Sequence, residues 1–169
     1  LEALQGVSEQ AERAGAILRR IRGFVRKEAP EQKTINVNDA IREAMHLLDA
    51  EAVRQDIRMK LALADGLPLV MADGVQVQQV LLNLVRNARE AGSDTVEVAV
   101  FADGGDLVLE VRDRGHGMTD EAMAQALVPF WTTKPEGSGL GLALCREILD
   151  NHGGTLELRS RDGGGLCVT

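Results

Sequence analysis

Asn83-Leu84-Val85-Arg86-Asn87-Ala88-Arg89-Glu90-Ala91 closes a stretch that reads as a helix over residues 74–91. Val77, Val80, Leu81, Leu84, Val85 and Ala88 recur at helical spacing and make one apolar stripe. Asn83 and Asn87 stand four apart, hence on one face. Asn is a poor mid-helix residue, because its side chain competes for backbone hydrogen bonds. Two solvated asparagines are the plain alternative. The crowding by Leu82, Leu84 and Val85 instead puts their face beside a pocket. An amide oxygen in a pocket is a neutral, hard ligand. It suits Mg2+, which keeps several waters and bridges to substrate phosphates.

Strand and helix signals alternate on either side of this stretch. Residues 34–37 read as a short strand, and Asn38 as the N-cap of a helix carrying Ile41, Ala44, Met45, Leu48 and Ala52 on one face. Ile57, Met59, Leu61 and Leu63 alternate with Arg58, Lys60, Ala62 and Ala64, the pattern of a half-exposed strand. Asp65-Gly66-Leu67-Pro68 is a turn. Val96, Val98 and Val100, then Leu107, Leu109 and Val111, alternate around Asp103-Gly104-Gly105-Asp106, a hairpin signal. A short helix is predicted over 120–127 and a last one over 139–151. Leu156 and Leu158 pair with Leu166 and Val168 across a glycine-rich turn. The expected class is α/β, a two-layer α/β sandwich with a mixed sheet over residues 34–169.

Residues 1–33 read differently. Val7, Ala11, Ala14, Leu18, Ile21 and Val25 form a seam of alternating four- and three-residue steps, and Pro30 ends it. One long helix therefore precedes the α/β domain. Its stripe needs a partner helix, from a second copy or a segment outside this chain; packing back on its own domain is the alternative.

Composition narrows the function classes. The chain has 169 residues, 44% apolar and 27% charged, with 19 basic against 26 acidic side chains and a net charge of −7. Residues 1–33 hold 7 basic and 5 acidic groups, which leaves 12 and 21, a net of −9, for residues 34–169. Such a body disfavours binding to a phosphate backbone, and four aromatics without Tyr disfavour stacking on single strands, so no nucleic-acid partner is expected. Neither fact excludes one nucleotide in a local cradle. Cys145 and Cys167 are not in a CxxC pair and read as core residues in a reducing compartment. No apolar run is long enough to span a membrane, and residues 1–20 have no signal-peptide core.

Twelve of the 18 glycines follow residue 100. Asp113-Arg114-Gly115-His116-Gly117-Met118 comes directly after a predicted strand. A carboxylate at a strand end can accept a hydrogen bond from an exocyclic amine such as adenine's, and glycines let backbone approach a flat base. Taken alone, the same residues also fit an Asp-Gly turn. Gly137-Ser138-Gly139-Leu140-Gly141-Leu142 opens a helix, and free N–H groups at a helix N-terminus suit phosphates. The spacing matches neither a Walker loop nor a Rossmann fingerprint. Between the two clusters lies Pro129-Phe130-Trp131-Thr132-Thr133-Lys134-Pro135. One of its adjacent aromatics should anchor to the core while the other faces solvent or a ligand.

In order and spacing, these four motifs resemble the N box, first glycine box, F box and second glycine box of the ATP-binding domain of two-component sensor histidine kinases. The wider superfamily also holds gyrase, Hsp90 and MutL ATPase domains. NLVRNAREA and PFWTTKPEGSGLGLAL look most like the nitrogen-regulation branch. The resemblance implies a Bergerat-type ATP fold, ATP and Mg2+ as cofactors, and a cytoplasmic domain whose parent could be membrane-bound. By the same resemblance Asn87 coordinates Mg2+ beside Asn83, and Asp113 binds the adenine amine, with Gly115 and Gly117 lining the base. Residues 118–137, from Met118, form a mobile lid that carries Lys134 as a cation for the γ-phosphate. Ser138, Gly139, Leu140 and Gly141 lie at the phosphates. The implied partners are a response-regulator receiver domain and a second copy, dimerised through the helix at 1–33, the second helix of the family's hairpin.

Position 83 distinguishes the branches. Hydrolysing relatives carry Glu there as general base, whereas Asn83 cannot accept a proton at neutral pH. The γ-phosphoryl is then held for another acceptor, so a kinase is favoured over an ATPase. Two departures stand out. Glu90 occupies a position where many members have Lys, leaving Lys134 or Arg86 to supply the cation. The phosphoacceptor histidine box is absent: His46, His116 and His152 each lack an acidic residue directly after them. His152 reads as a helix C-terminal residue favoured by the dipole. The expected fragment carries the ATP machinery of a kinase without its acceptor. The alternative function is a degenerate ATP domain acting as a nonenzymatic docking module.

Overall fold

The computed structural model describes residues 31–55, 57–134 and 137–169. Its elements in chain order are β1 (Lys33–Ile35), α1 (Val37–Gln55), β2 (Arg58–Leu63), β3 (Val70–Ala72), α2 (Gly74–Glu90), β4 (Thr95–Asp103), β5 (Asp106–Arg112), α3 (Asp120–Gln125), α4 (Gly141–Asn151), β6 (Leu158–Ser160) and β7 (Leu166–Val168). Five strands form a mixed sheet in the order β2-β4-β5-β7-β6. β2 and β4 run parallel with Leu63 opposite Val100, as a crossover through a helix requires. The remaining pairs are antiparallel, β4 and β5 in register at Val98 and Val111. β1 and β3 form a separate antiparallel pair.

The alternation in β4 decides which face is covered. Val96, Val98 and Val100 are at most 1% exposed, whereas Glu97, Ala99 and Phe101 point to the opposite, wetter face. The covered face meets Ile41 and Met45 from α1, Leu81, Leu84 and Val85 from α2, and Cys145 and Ile148 from α4. α2 touches both other long helices. One layer of helices on one face of a mixed sheet is the expected two-layer sandwich. Among the described residues no helix is long and apolar enough to cross a membrane.

Several boundaries differ from the sequence reading. α1 begins at Val37, one residue before Asn38, and its cap is Asn36. Asn36 Oδ1 accepts from Asn38 N at 3.0 Å, and Asn36 O accepts from Asp39 N at 3.1 Å. Asn38 is instead buried, its Nδ2 donating to Ala64 O at 2.9 Å and tying α1 to the end of β2. β3 was not expected: three residues show too little alternation to register, and their pairing with β1 defines them. α3 stops at Gln125 and α4 starts at Gly141, each shorter than predicted. Leu158 pairs with Val168 as expected, while Leu156 lies just outside β6. The seam over residues 1–29, the Ala52 side chain and Pro135 lie outside the described residues.

His152 is the C-cap of α4, at the helix C-terminus as expected, and its ring makes two further contacts. Its Nε2 accepts from Asp73 N at 2.9 Å, and its Nδ1 meets Ile148 O at 2.7 Å. An accepting Nε2 puts the ring proton on Nδ1, so the ring is a neutral bridge between the end of α4 and the β3–α2 junction. His152→Ala leaves the Asp73 N–H without its partner. We expect a loss of about 1–3 kcal/mol in urea unfolding; an unchanged midpoint would show that the bridge contributes nothing.

Candidate functional site

Asp113 leaves the end of β5 and is 7% exposed. Its N–H donates to Leu166 O at 3.0 Å, and its Oδ1 accepts from Gly115 N at 2.8 Å and Leu166 N at 3.3 Å. These two bonds leave acceptor capacity on the carboxylate for a ligand. The following turn is tied down at each step. Arg114 N donates to Ser93 Oγ at 2.9 Å, Ser93 Oγ donates to Thr95 O at 2.6 Å, and His116 N donates to Ala91 O at 3.0 Å. Gly115 permits this closeness: a Cβ there would lie 2.5 Å from Ala91 O.

The N-terminus of α4 faces Asn87. A Cβ on Gly141 would sit 3.6 Å from both polar atoms of the Asn87 amide. Asp73 caps α2, accepting from Val75 N and Gln76 N, and Thr119 caps α3. Leu140, the N-cap residue of α4, makes no such side-chain bond. Gly139, at φ 64°, lets the chain turn into the helix, and its carbonyl accepts from Phe130 N at 2.9 Å.

Between these elements is a cavity of about 720 Å³, within the range of small-molecule sites. Asn83, Asn87, Met118, Lys134, Ser138, Gly139, Leu140 and Gly141 line it. Asp113, Gly115 and Gly117 do not line it directly. They adjoin it through Ala91, Met118 and Leu166, which do. The predicted site residues therefore converge on one region of the fold, with the Asp113 turn at its edge. Trp131 lines the cavity and packs on the core, while Phe130 is 64% exposed at φ 67°, the division expected of adjacent aromatics.

Two features were not legible in the sequence. Lys134 Nζ is 2.7 Å from Glu90 Oε2, so two residues that line the cavity are paired although they stand 44 positions apart. Ser93 holds the Asp113 turn, although a lone serine after Gly92 reads as an ordinary loop residue. Asn83 Nδ2 is buried with no hydrogen-bond partner. Burial pushes the neighbouring Cys145 thiol up to about 12.

Among the described residues no group of three or more His, Cys, Asp or Glu could hold a metal ion. The donors at the start of α4 are the Asn87 amide and the backbone N–H groups of the first turn. This set fits an ion held by one protein ligand, phosphates and water, as Mg2+ is in nucleotide sites.

Residues 72–169 match the family described as histidine kinase-, DNA gyrase B- and HSP90-like ATPase. The C4-dicarboxylate transport sensor protein DctS of Rhodobacter capsulatus is 37% identical over 176 residues, 99% of this chain and 26% of its own length. The chain thus spans about a quarter of that curated relative. The catalytic domain of histidine kinase ThkA superposes with TM-score 0.73 at 30% identity, covering 82% of this chain and 93% of that one. ShkA, solved in complex with AMPPNP, gives TM-score 0.83 at 22% identity over 99% of this chain and 37% of its own, a likeness of fold. With the four motifs in order on this fold, the chain belongs to the histidine kinase-, DNA gyrase B- and HSP90-like ATPase family, as an ATP-binding catalytic domain of the sensor histidine kinases.

Proposed function

We propose that this domain binds MgATP in the cavity between α2, the Asp113 turn and the start of α4, and presents the γ-phosphoryl to a histidine outside these 169 residues. One observation carries the reading: the N-terminus of α4 abuts the Asn87 amide, and both line one cavity. Asp113 accepts from the adenine amine, and Gly115 and Gly117 keep the backbone low beside the base. The N–H groups at Gly139, Leu140 and Gly141 meet the phosphates, aided by the positive helix end. The Asn87 oxygen is the protein ligand for Mg2+, which when bound offsets phosphate charge. Lys134 turns from Glu90 to the γ-phosphate as the lid, residues 118–137, closes.

Asn83 supplies no base for water, so ATP is retained rather than hydrolysed quickly. In the parent protein the phosphoryl passes to the histidine and then to an Asp of a response-regulator receiver domain. The segment at 1–33 joins two copies through a helical hairpin, and the domain works in the cytoplasm, where ATP is supplied.

Incubation with γ-labelled ATP tests the assignment of roles. The 169-residue chain should acquire no acid-labile label, while a longer protein containing the histidine box should be labelled on that histidine. Label on His46, His116 or His152 would overturn the proposal.

A further inference from the structure

Arg161 lies in the loop between β6 and β7 and does not line the cavity. Its side chain is nevertheless only 15% exposed. Nη1 donates to the Asp113 carbonyl at 2.8 Å, and Nη2 pairs with Glu97 Oε2 at 3.3 Å. Glu97 is on the outer face of β4, where Lys60 Nζ also reaches its Oε1 at 3.7 Å. The loop is closed on itself, with Arg161 N donating to Gly165 O at 3.2 Å and Gly164 N donating to Arg161 O at 3.1 Å. The guanidinium is thus aimed back at Asp113 from a fixed base.

We propose that Arg161 is a positioning residue for adenine recognition, holding the Asp113 peptide so that the carboxylate meets the exocyclic amine. The inference rests on the reading of Asp113 given above. The other bonds to Asp113 described above come from backbone groups of Gly115 and Leu166. Arg161 is different. It satisfies the Asp113 carbonyl where the chain leaves the β5 ladder, and that peptide plane sets the direction of the side chain. A guanidinium can bond two acceptors in a fixed plane, here a carbonyl and a carboxylate on neighbouring strands. Lysine has no such fork and can hold only part of the arrangement.

Calorimetry on the 169-residue chain tests this with two nucleotides, ATP and purine riboside triphosphate, which lacks the exocyclic amine. Arg161→Met should weaken ATP about tenfold and purine riboside triphosphate less than about twofold. Arg161→Lys should recover part of the loss. Glu97→Gln touches neither Asp113 nor nucleotide, yet should lower ATP affinity selectively by about two- to threefold. It also provides the readout if Arg161→Met fails to fold. An equal loss for both nucleotides, or no loss for ATP, overturns the inference. If the parent chain shows no preference for ATP over the amine-free analogue, the Asp113 reading itself falls. If Asp113→Asn erases that preference while Arg161→Met preserves it, only the role of Arg161 falls.

Discussion

Asp113→Asn lowers ATP affinity at least about tenfold. The substitution keeps the shape of the side chain but replaces an acceptor with an NH2 donor. In the folded protein one carboxylate oxygen already receives two backbone N–H groups, from Gly115 and Leu166. The Asn oxygen must stay there to avoid two donor–donor clashes, which turns the NH2 toward the adenine amine. The variant therefore loses a charge-assisted hydrogen bond and gains a donor facing a donor, at a cost of about 1.5–3 kcal/mol. Calorimetry checks this, with circular dichroism confirming the fold. Unchanged affinity in a folded variant would remove adenine from the Asp113 turn.

Gly165→Ala should be among the most destabilising single-methyl additions in the domain. Gly165 has φ 97°, and a Cβ there would lie 2.2 Å from Asp113 O. The methyl group would have to displace the peptide that Arg161, Leu166 and Gly115 hold. Gly104 offers the comparison: its φ is 58°, but nothing lies within 4 Å of a Cβ. Gly104→Ala should cost only the left-handed backbone penalty, about 1–2 kcal/mol. Gly165→Ala should exceed it by about 2 kcal/mol or more and weaken ATP binding as well. Urea unfolding of both variants reads the difference. Equal losses would mean that the 163–165 loop can retreat from Asp113 freely.

The long elements were legible because burial writes a period into the sequence. Val96, Val98 and Val100 alternate because one face of β4 lies under helices. The stripe from Val77 to Ala88 recurs because α2 packs on that sheet and against two other helices in the same layer. Asn83, Asn87 and the glycines of 137–141 stood out because each violates local propensity, and the cavity accounts for the violation. What escaped notice had no local signature. Asn36 and Asn38 are equally good caps by chemistry, and only the packing of Asn38 against Ala64 decides between them. The Glu90–Lys134 pair and the grip of Arg161 on Asp113 join residues 44 and 48 positions apart. The run Gly163-Gly164-Gly165 reads as a turn. That its last member must also pass against the Asp113 carbonyl is a fact of tertiary contact.

Amide-resolved NMR titration of the 169-residue chain with ATP, with and without Mg2+, reads the site in one experiment. The largest shifts should fall together at residues 83–91, 113–118 and 137–142, with those around Asn87 depending on Mg2+. Shifts confined to the outer face of the sheet near Phe101, or no saturable shifts, would contradict a nucleotide site built from these three stretches.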